Sequence, residues 1–249
     1  MMKKRLIYIS IILIAFIFLG TLIRQNQNND SFLWCDAYIA AEEESDYTIS
    51  LTYVYINQPI DFAKVCSIEF VNASNVYVES FEFYNMENTM KYKSIGIDLK
   101  LHFGKMSFLK CNTIKVMFED GKTKLYKVGD WEFDIGEKES NMQILNIWES
   151  PVASANHSEF PYCYIPSSQI RIMKIQYTND QMAHINVKGR DEISGKISLD
   201  NRAPVVLIRP RILCEIDNET VVCYGNSCYC GALNVNEEDI NKSYNYLND

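Results

Sequence analysis

The sequence is short of the signs that announce an enzyme. Its 249 residues hold no G-x-S-x-G, no H-E-x-x-H, no phosphate-binding loop and no dinucleotide fingerprint. Histidine is scarce, with His102, His157 and His184 the whole supply. His102 and His184 fall on polar faces of strand-like stretches, where solvated side chains are expected. Positive charge is in deficit too: 24 Lys+Arg face 32 Asp+Glu, for a formal net charge of -8. That counts against nucleic-acid binding, which needs a basic face. An apolar fraction of 47% excludes a fully disordered chain. No calcium loop of the D-x-[DN]-x-[DN]-G kind accompanies the acidic cluster Glu42, Glu43, Glu44 and Asp46, which reads as a solvated loop or stalk. No cofactor is implied.

What is present begins with a head free of acids. Lys3, Lys4, Arg5 and Arg24 bracket an apolar run of 18 residues, Leu6 to Ile23, leaving 20 basic against 32 acidic residues from Gln25 onward, or -12. At about 1.5 Å per residue such a helix approaches the hydrocarbon thickness of a bilayer. The flanking basic residues put the N-terminus in the cytoplasm. A cleaved signal peptide would have a shorter apolar region and small residues at a cleavage site, and neither is seen. The expectation is a single-pass plasma-membrane anchor with the acidic body extracytoplasmic. Residues 1–24 form the anchor and 25–46 a polar and acidic spacer. Trp34 would lie either in the core or at the membrane interface.

The body alternates with period two. From Ile95 to Phe103 odd positions are apolar and even ones are not. Thr48 to Ile56 and Val76 to Tyr84 are rich in β-branched and aromatic residues. Thr113 to Glu119, Asp120-Gly121 and Lys122 to Val128 read as a hairpin. Further strands are expected at Met142 to Ile147, Ile170 to Tyr177, Ala183 to Lys188, Val205 to Ile208 and Arg211 to Tyr224. The one helical pattern after the head is Asn236 to Tyr244. The fold class is therefore all-β: an N-terminal transmembrane helix followed by antiparallel β-sandwich, immunoglobulin-like architecture, in two tandem modules. These run over 47–150 and 169–249, the second smaller, with a linker at 151–168. The linker carries a candidate contact loop of His157, Glu159, Tyr162 and Tyr164.

Eight cysteines follow the head. If Asp217 to Thr220 is one loop and Gly225-Asn226 a two-residue turn, Cys214, Cys223, Cys228 and Cys230 share one face of a meander. Three readings stay open: disulfides within this set (Cys214–Cys223 or Cys223–Cys228), buried free thiols, or a thiolate metal or redox site. Cys66 and Cys111 look like core or staple positions. The expected function is non-enzymatic: a membrane-anchored protein that binds or assembles with a protein or cell-surface partner. The alternatives are a surface hydrolase whose carboxylate pair has no local signature, or a thiol or metal site on the four C-terminal cysteines.

Overall fold

The computed structural model describes residues 30–86, 91–137, 145–146, 152–166, 170–189, 191–201 and 203–245. The apolar run 6–23 and Trp148 lie outside them. Among the described residues no helix is long and apolar enough to cross a membrane.

The architecture is all-β, as the alternation predicts. One four-stranded sheet runs β1 (Asp30–Phe32), β3 (Ser45–Tyr55), β6 (Lys93–Phe103), β5 (Val76–Asn85). It faces a six-stranded sheet whose spatial order is β17 (Cys228–Cys230), β14 (Val205–Arg209), β2 (Cys35–Glu42), β8 (Thr123–Gly136), β7 (Ser107–Phe118), β4 (Val65–Phe70). Ile97, Leu99, Leu101 and Phe103 of β6 meet Trp131, Phe133 and Ile135 of β8 in this first core. The Asp120-Gly121 turn joins β7 to β8 as expected, with Gly121 at φ 80°. Gly129 is required by contact rather than by a turn. Its φ is 130°, and a Cβ there would lie 2.0 Å from the Cys35 carbonyl oxygen of the neighbouring strand.

A second core lies between two smaller sheets and the outer face of β14 and β17. Its sheets are β12 (Met182–Gly189), β11 (Ile170–Gln176), β15 (Arg211–Ile216), β16 (Glu219–Tyr224), and β13 (Ile193–Ser198), β10 (Glu159–Pro166), β9 (Leu145–Asn146). β14 serves both cores: Val205 and Leu207 enter the first, Val206 and Ile208 the second. The chain-order division at 151–168 thus does not follow the strand pairing, because β14 and β17 complete the sheet of the N-terminal lobe.

Three expectations change here. The spacer 25–46 contains a buried central strand: β2 is flanked by parallel ladders to β14 and β8, so the pairing is not antiparallel throughout. A strand covered on both faces reads as a continuous apolar run, here Ala37 to Ala41, instead of alternating. Trp34 packs against the second core and donates its indole N–H to Asp36, 2.9 Å away. The 151–168 linker includes β10, where Phe160, Tyr162 and Tyr164 alternate into the second core. The helix expected at the C-terminus forms as α1 (Glu237–Asn245). Asn236 caps it by accepting from the N–H groups of Glu238 and Asp239, and Asp239 accepts in return from the Asn236 N–H.

Candidate functional site

The polar faces of β2 and β8 meet the second lobe along a seam. Because β2 and β8 run parallel in register, Asp36 and Tyr38 stand beside Asp130 and Glu132, which are distant in sequence. The turn after β11 brings Tyr177, Thr178 and Gln181 to the opposite wall, and the segment after β13 brings Asp200 and Asn201. Val206 and Ile208 of β14 form an apolar floor. The cavity is about 170 Å³ and is lined by four carboxylates, Asp36, Asp130, Glu132 and Asp200, with no lysine or arginine among its lining residues. That volume is below the range of drug-sized pockets, roughly 300–1,000 Å³. It suits one inserted side chain.

The carboxylates differ in how they are held. Asp36 accepts from the Trp34 indole and from the Asp130 backbone N–H at 2.8 Å. Burial pushes its carboxyl above the usual carboxylate range, opposed by the Asp130 N–H and reinforced by the Asp130 charge. Glu132 is ion-paired with Lys110 at 2.6 Å and accepts the Asn179 N–H at 2.9 Å, which fastens the β11–β12 turn across the seam. Among the described residues Asp36, Asp130 and Asp200 form no ion pair, although the Lys110 charge acts on Asp130 from beside Glu132. Below them Tyr38 donates to Asp134 at 2.8 Å, and Arg211 lies 3.4 Å from the same carboxylate. The seam is therefore electronegative at the cavity and neutralised beneath it.

A second polar cluster sits on the outer face of the first lobe. His102, Asp46 and Glu79 place donor atoms within 4.8 Å of one another, the one such group of metal-ligating side chains among the described residues. His102 Nδ1 lies 2.8 Å from Asp46, while Lys100 pairs with Glu79 at 2.6 Å and with Asp46 at 3.1 Å. The lysine occupies the position a cation would take, so the cluster is an ion-pair network. His102, expected to be merely solvated, is thereby paired. The contact holds its imidazole pKa up and the Asp46 carboxyl down.

The sequence-derived candidates are redistributed. None of the eight cysteines is disulfide-bonded in the structure. The hairpin turn is two residues, Asp217-Asn218 at φ 49° and 68°, giving the I′-type loop that matches strand twist. Cys214 therefore faces Val221, and Cys223 faces Ile212. After Gly225 the chain leaves β16, and β17 pairs with β14 instead. The four sulfurs still reach one core, Cys214, Cys228 and Cys230 fully buried in it and Cys223 packed against it. They arrive as two pairs from opposed sheets, Cys214 beside Cys223 and Cys228 beside Cys230, and no three come together as a metal site. Cys228 and Cys230 are 4.0 Å apart, sulfur to sulfur. Cys111 is buried, but Cys66 is exposed, because a bulge between Val65 and Ser67 turns it out of the core.

The contact-loop candidates also separate. His157 is exposed, and Glu159 is ion-paired with Lys196 at 2.9 Å. Tyr162 and Tyr164 are core residues at 8% and 1% exposure, stacked 5.7 Å apart, and not surface contacts. His184 is exposed as expected.

No family model matches the chain, and no curated protein matches it. Among solved structures it is similar to the fibronectin(III)-like modules of Clostridium thermocellum CbhA, at 9% identity and TM-score 0.24, over 84% of this chain and 98% of that one. It is also similar to a three-domain immunoglobulin fragment of titin, at 7% identity and TM-score 0.23, over 79% and 64%. A cohesin module from a Clostridium perfringens family 33 glycoside hydrolase aligns at 15% identity and TM-score 0.19, over 45% and 98%. Similarity at this level carries no functional assignment.

Proposed function

We propose that this chain is a non-enzymatic, membrane-tethered extracytoplasmic protein of immunoglobulin-like β-sandwich build, which binds a partner protein by receiving a lysine or arginine side chain in the acidic seam. The observation that carries the reading is the seam cavity, whose Asp36, Asp130 and Asp200 carboxylates form no ion pair among the described residues. An incoming ammonium or guanidinium would relieve that charge, with its methylene stem against Val206 and Ile208. The tether and the outward placement rest on residues 3–24 alone. The acidic body suits a domain held off an anionic membrane rather than lying on it.

The test is titration of the full chain with a trilysine peptide, with a trinorleucine peptide as the uncharged control. Trilysine should bind, and the Asp36→Asn/Asp130→Asn variant should bind it about tenfold more weakly, equivalent to about 1.4 kcal/mol. Equal binding of both peptides, or an unchanged affinity in the variant, would overturn the proposal. Protease added to intact cells should digest the body; protection until the membrane is breached would place it on the other side.

A further inference from the structure

We propose that the first lobe carries a separate binding site of opposite chemistry: a partly open apolar pocket for a small neutral molecule with an apolar body and one polar group. The pocket measures about 240 Å³ and lies between the β17–β14–β2 end of the six-stranded sheet, β3 and the C-terminal segment. Leu33, Val54 and Val205 line the sheet side, while Val235 and Ile240 close it from the C-terminal side. The pocket is partly open, with Met86 at its rim 37% exposed, so an apolar ligand would displace water from its apolar walls on entering. The polar end is supplied by β3 and β17: Tyr229 lines the cavity, and its hydroxyl accepts the Ser50 N–H at 2.6 Å. A dry cavity of about 150 Å³ accommodates benzene. Scaling that ratio to 240 Å³ gives a ligand of about ten heavy atoms.

One wall of the pocket is an element able to move. α1 has nine residues, too few to be a stable helix without tertiary support. It is held to the lobe by Ile240, which is 6% exposed, and by Ser243, whose hydroxyl oxygen accepts the Trp34 N–H at 2.9 Å. Asn241 accepts the Tyr92 hydroxyl. Local opening at α1 would widen access to the pocket by withdrawing Ile240 from the edge of the first core, leaving the rest of that core and the second core in place.

The chain contains its own reporters. Cys35 lines the cavity and is buried; Cys111 is buried in the same core away from it; Cys66 is exposed. The experiment labels the full chain with methyl methanethiosulfonate and follows each thiol by peptide mass spectrometry, with and without 1-octanol as the probe. Octanol should slow labelling of Cys35 by about tenfold once its free concentration is about ten times Kd. Cys111 and Cys66 should be unaffected. Val235→Phe, which fills the cavity, should make Cys35 slow from the outset and abolish the octanol effect. If that variant fails to fold, Cys111 becomes as reactive as Cys66, and Ala232→Phe provides the same test from the neighbouring wall. A Cys35 that never reacts, one that octanol does not protect, or equal slowing of Cys35 and Cys111 would overturn the proposal. None of these outcomes depends on the acidic seam.

Discussion

Replacing Asp30 should destabilise the first lobe more than any other single carboxylate change. Its side chain is 2% exposed yet accepts from Tyr53 at 2.5 Å, Tyr126 at 2.6 Å and Lys124 Nζ at 2.6 Å. A hydrogen bond to a charged acceptor contributes about 1.5–3 kcal/mol. Asp30→Ala removes two such bonds from buried tyrosines, so about 3–6 kcal/mol is at stake. Lys124 adds little, because at 37% exposure it can turn into water. Asp30→Asn preserves the shape and one acceptor oxygen but loses the charge, and should cost about half as much. Set against a typical total of about 5–15 kcal/mol, the alanine variant should lose a large part of its stability. The assay is urea unfolding of the full chain in mild detergent, followed by tryptophan emission, to which Trp131, 1% exposed in the same core, contributes. The midpoint should fall with little change in slope. A loss below about 1 kcal/mol for alanine, or equal losses for alanine and asparagine, would show that the carboxylate is hydrated and not held by the two tyrosines.

Gly129→Ala should abolish or severely impair folding, since its Cβ would meet the Cys35 carbonyl at 2.0 Å, whereas Gly121→Ala, with nothing within 4 Å, should cost only about 1–2 kcal/mol of left-handed strain; expression and thermal melting of the pair separate the two causes. His102 has its pKa raised by Asp46, so its contribution is fully present below the ordinary histidine value of about 6.5 and is lost as pH rises through the raised folded value. His102→Gln should therefore lower the urea midpoint at about pH 5 and leave it nearly unchanged at about pH 9; a pH-independent gap would refute the linkage. Asn218 adopts φ 68° in the β15–β16 turn, so Asn218→Gly should stabilise by about 0.5 kcal/mol while Asn218→Ala should destabilise by about 1 kcal/mol, both read from denaturant midpoints.

The sequence is most legible where one face of a strand is buried and the other is wet. β6 is such a strand: Ile95, Ile97, Leu99, Leu101 and Phe103 are buried and Lys100 is exposed, so its period was written in the residues. The Asp120-Gly121 hairpin and the Asn236 cap were legible because turn and cap chemistry is local. β2 was not, because burial on both faces removes the alternation and its acidic end resembles a loop. The cysteine register slipped for an equally local reason. Asp217 and Asn218 both adopt the left-handed conformation, and a tight turn of two such residues shifts every facing pair by two relative to a four-residue loop. Cys66 left the core through a bulge with no marker in the sequence.

The acidic seam was hidden for a different reason, which bears on how the molecule works. Asp36, Asp130 and Glu132 each sit at an ordinary polar position of a strand, and alone each reads as solvated. They become a wall only because β2 pairs in parallel with β8, and the wall becomes a cavity only because β14 crosses from the second lobe to pair with β2. Val205 to Ile208 is buried at every position, the mark of a strand covered on both faces, but the residues do not say which elements cover them. Since Val206 and Ile208 are both part of the second core and the floor of the cavity, the site cannot be removed from the fold without opening that core. A ligand in the seam would touch β2, β8, β14 and the β11–β12 turn at once. Its binding energy would therefore act directly on the contact between the two lobes, and occupancy should protect the amides of β14 and of the Tyr177–Gln181 turn from hydrogen exchange together.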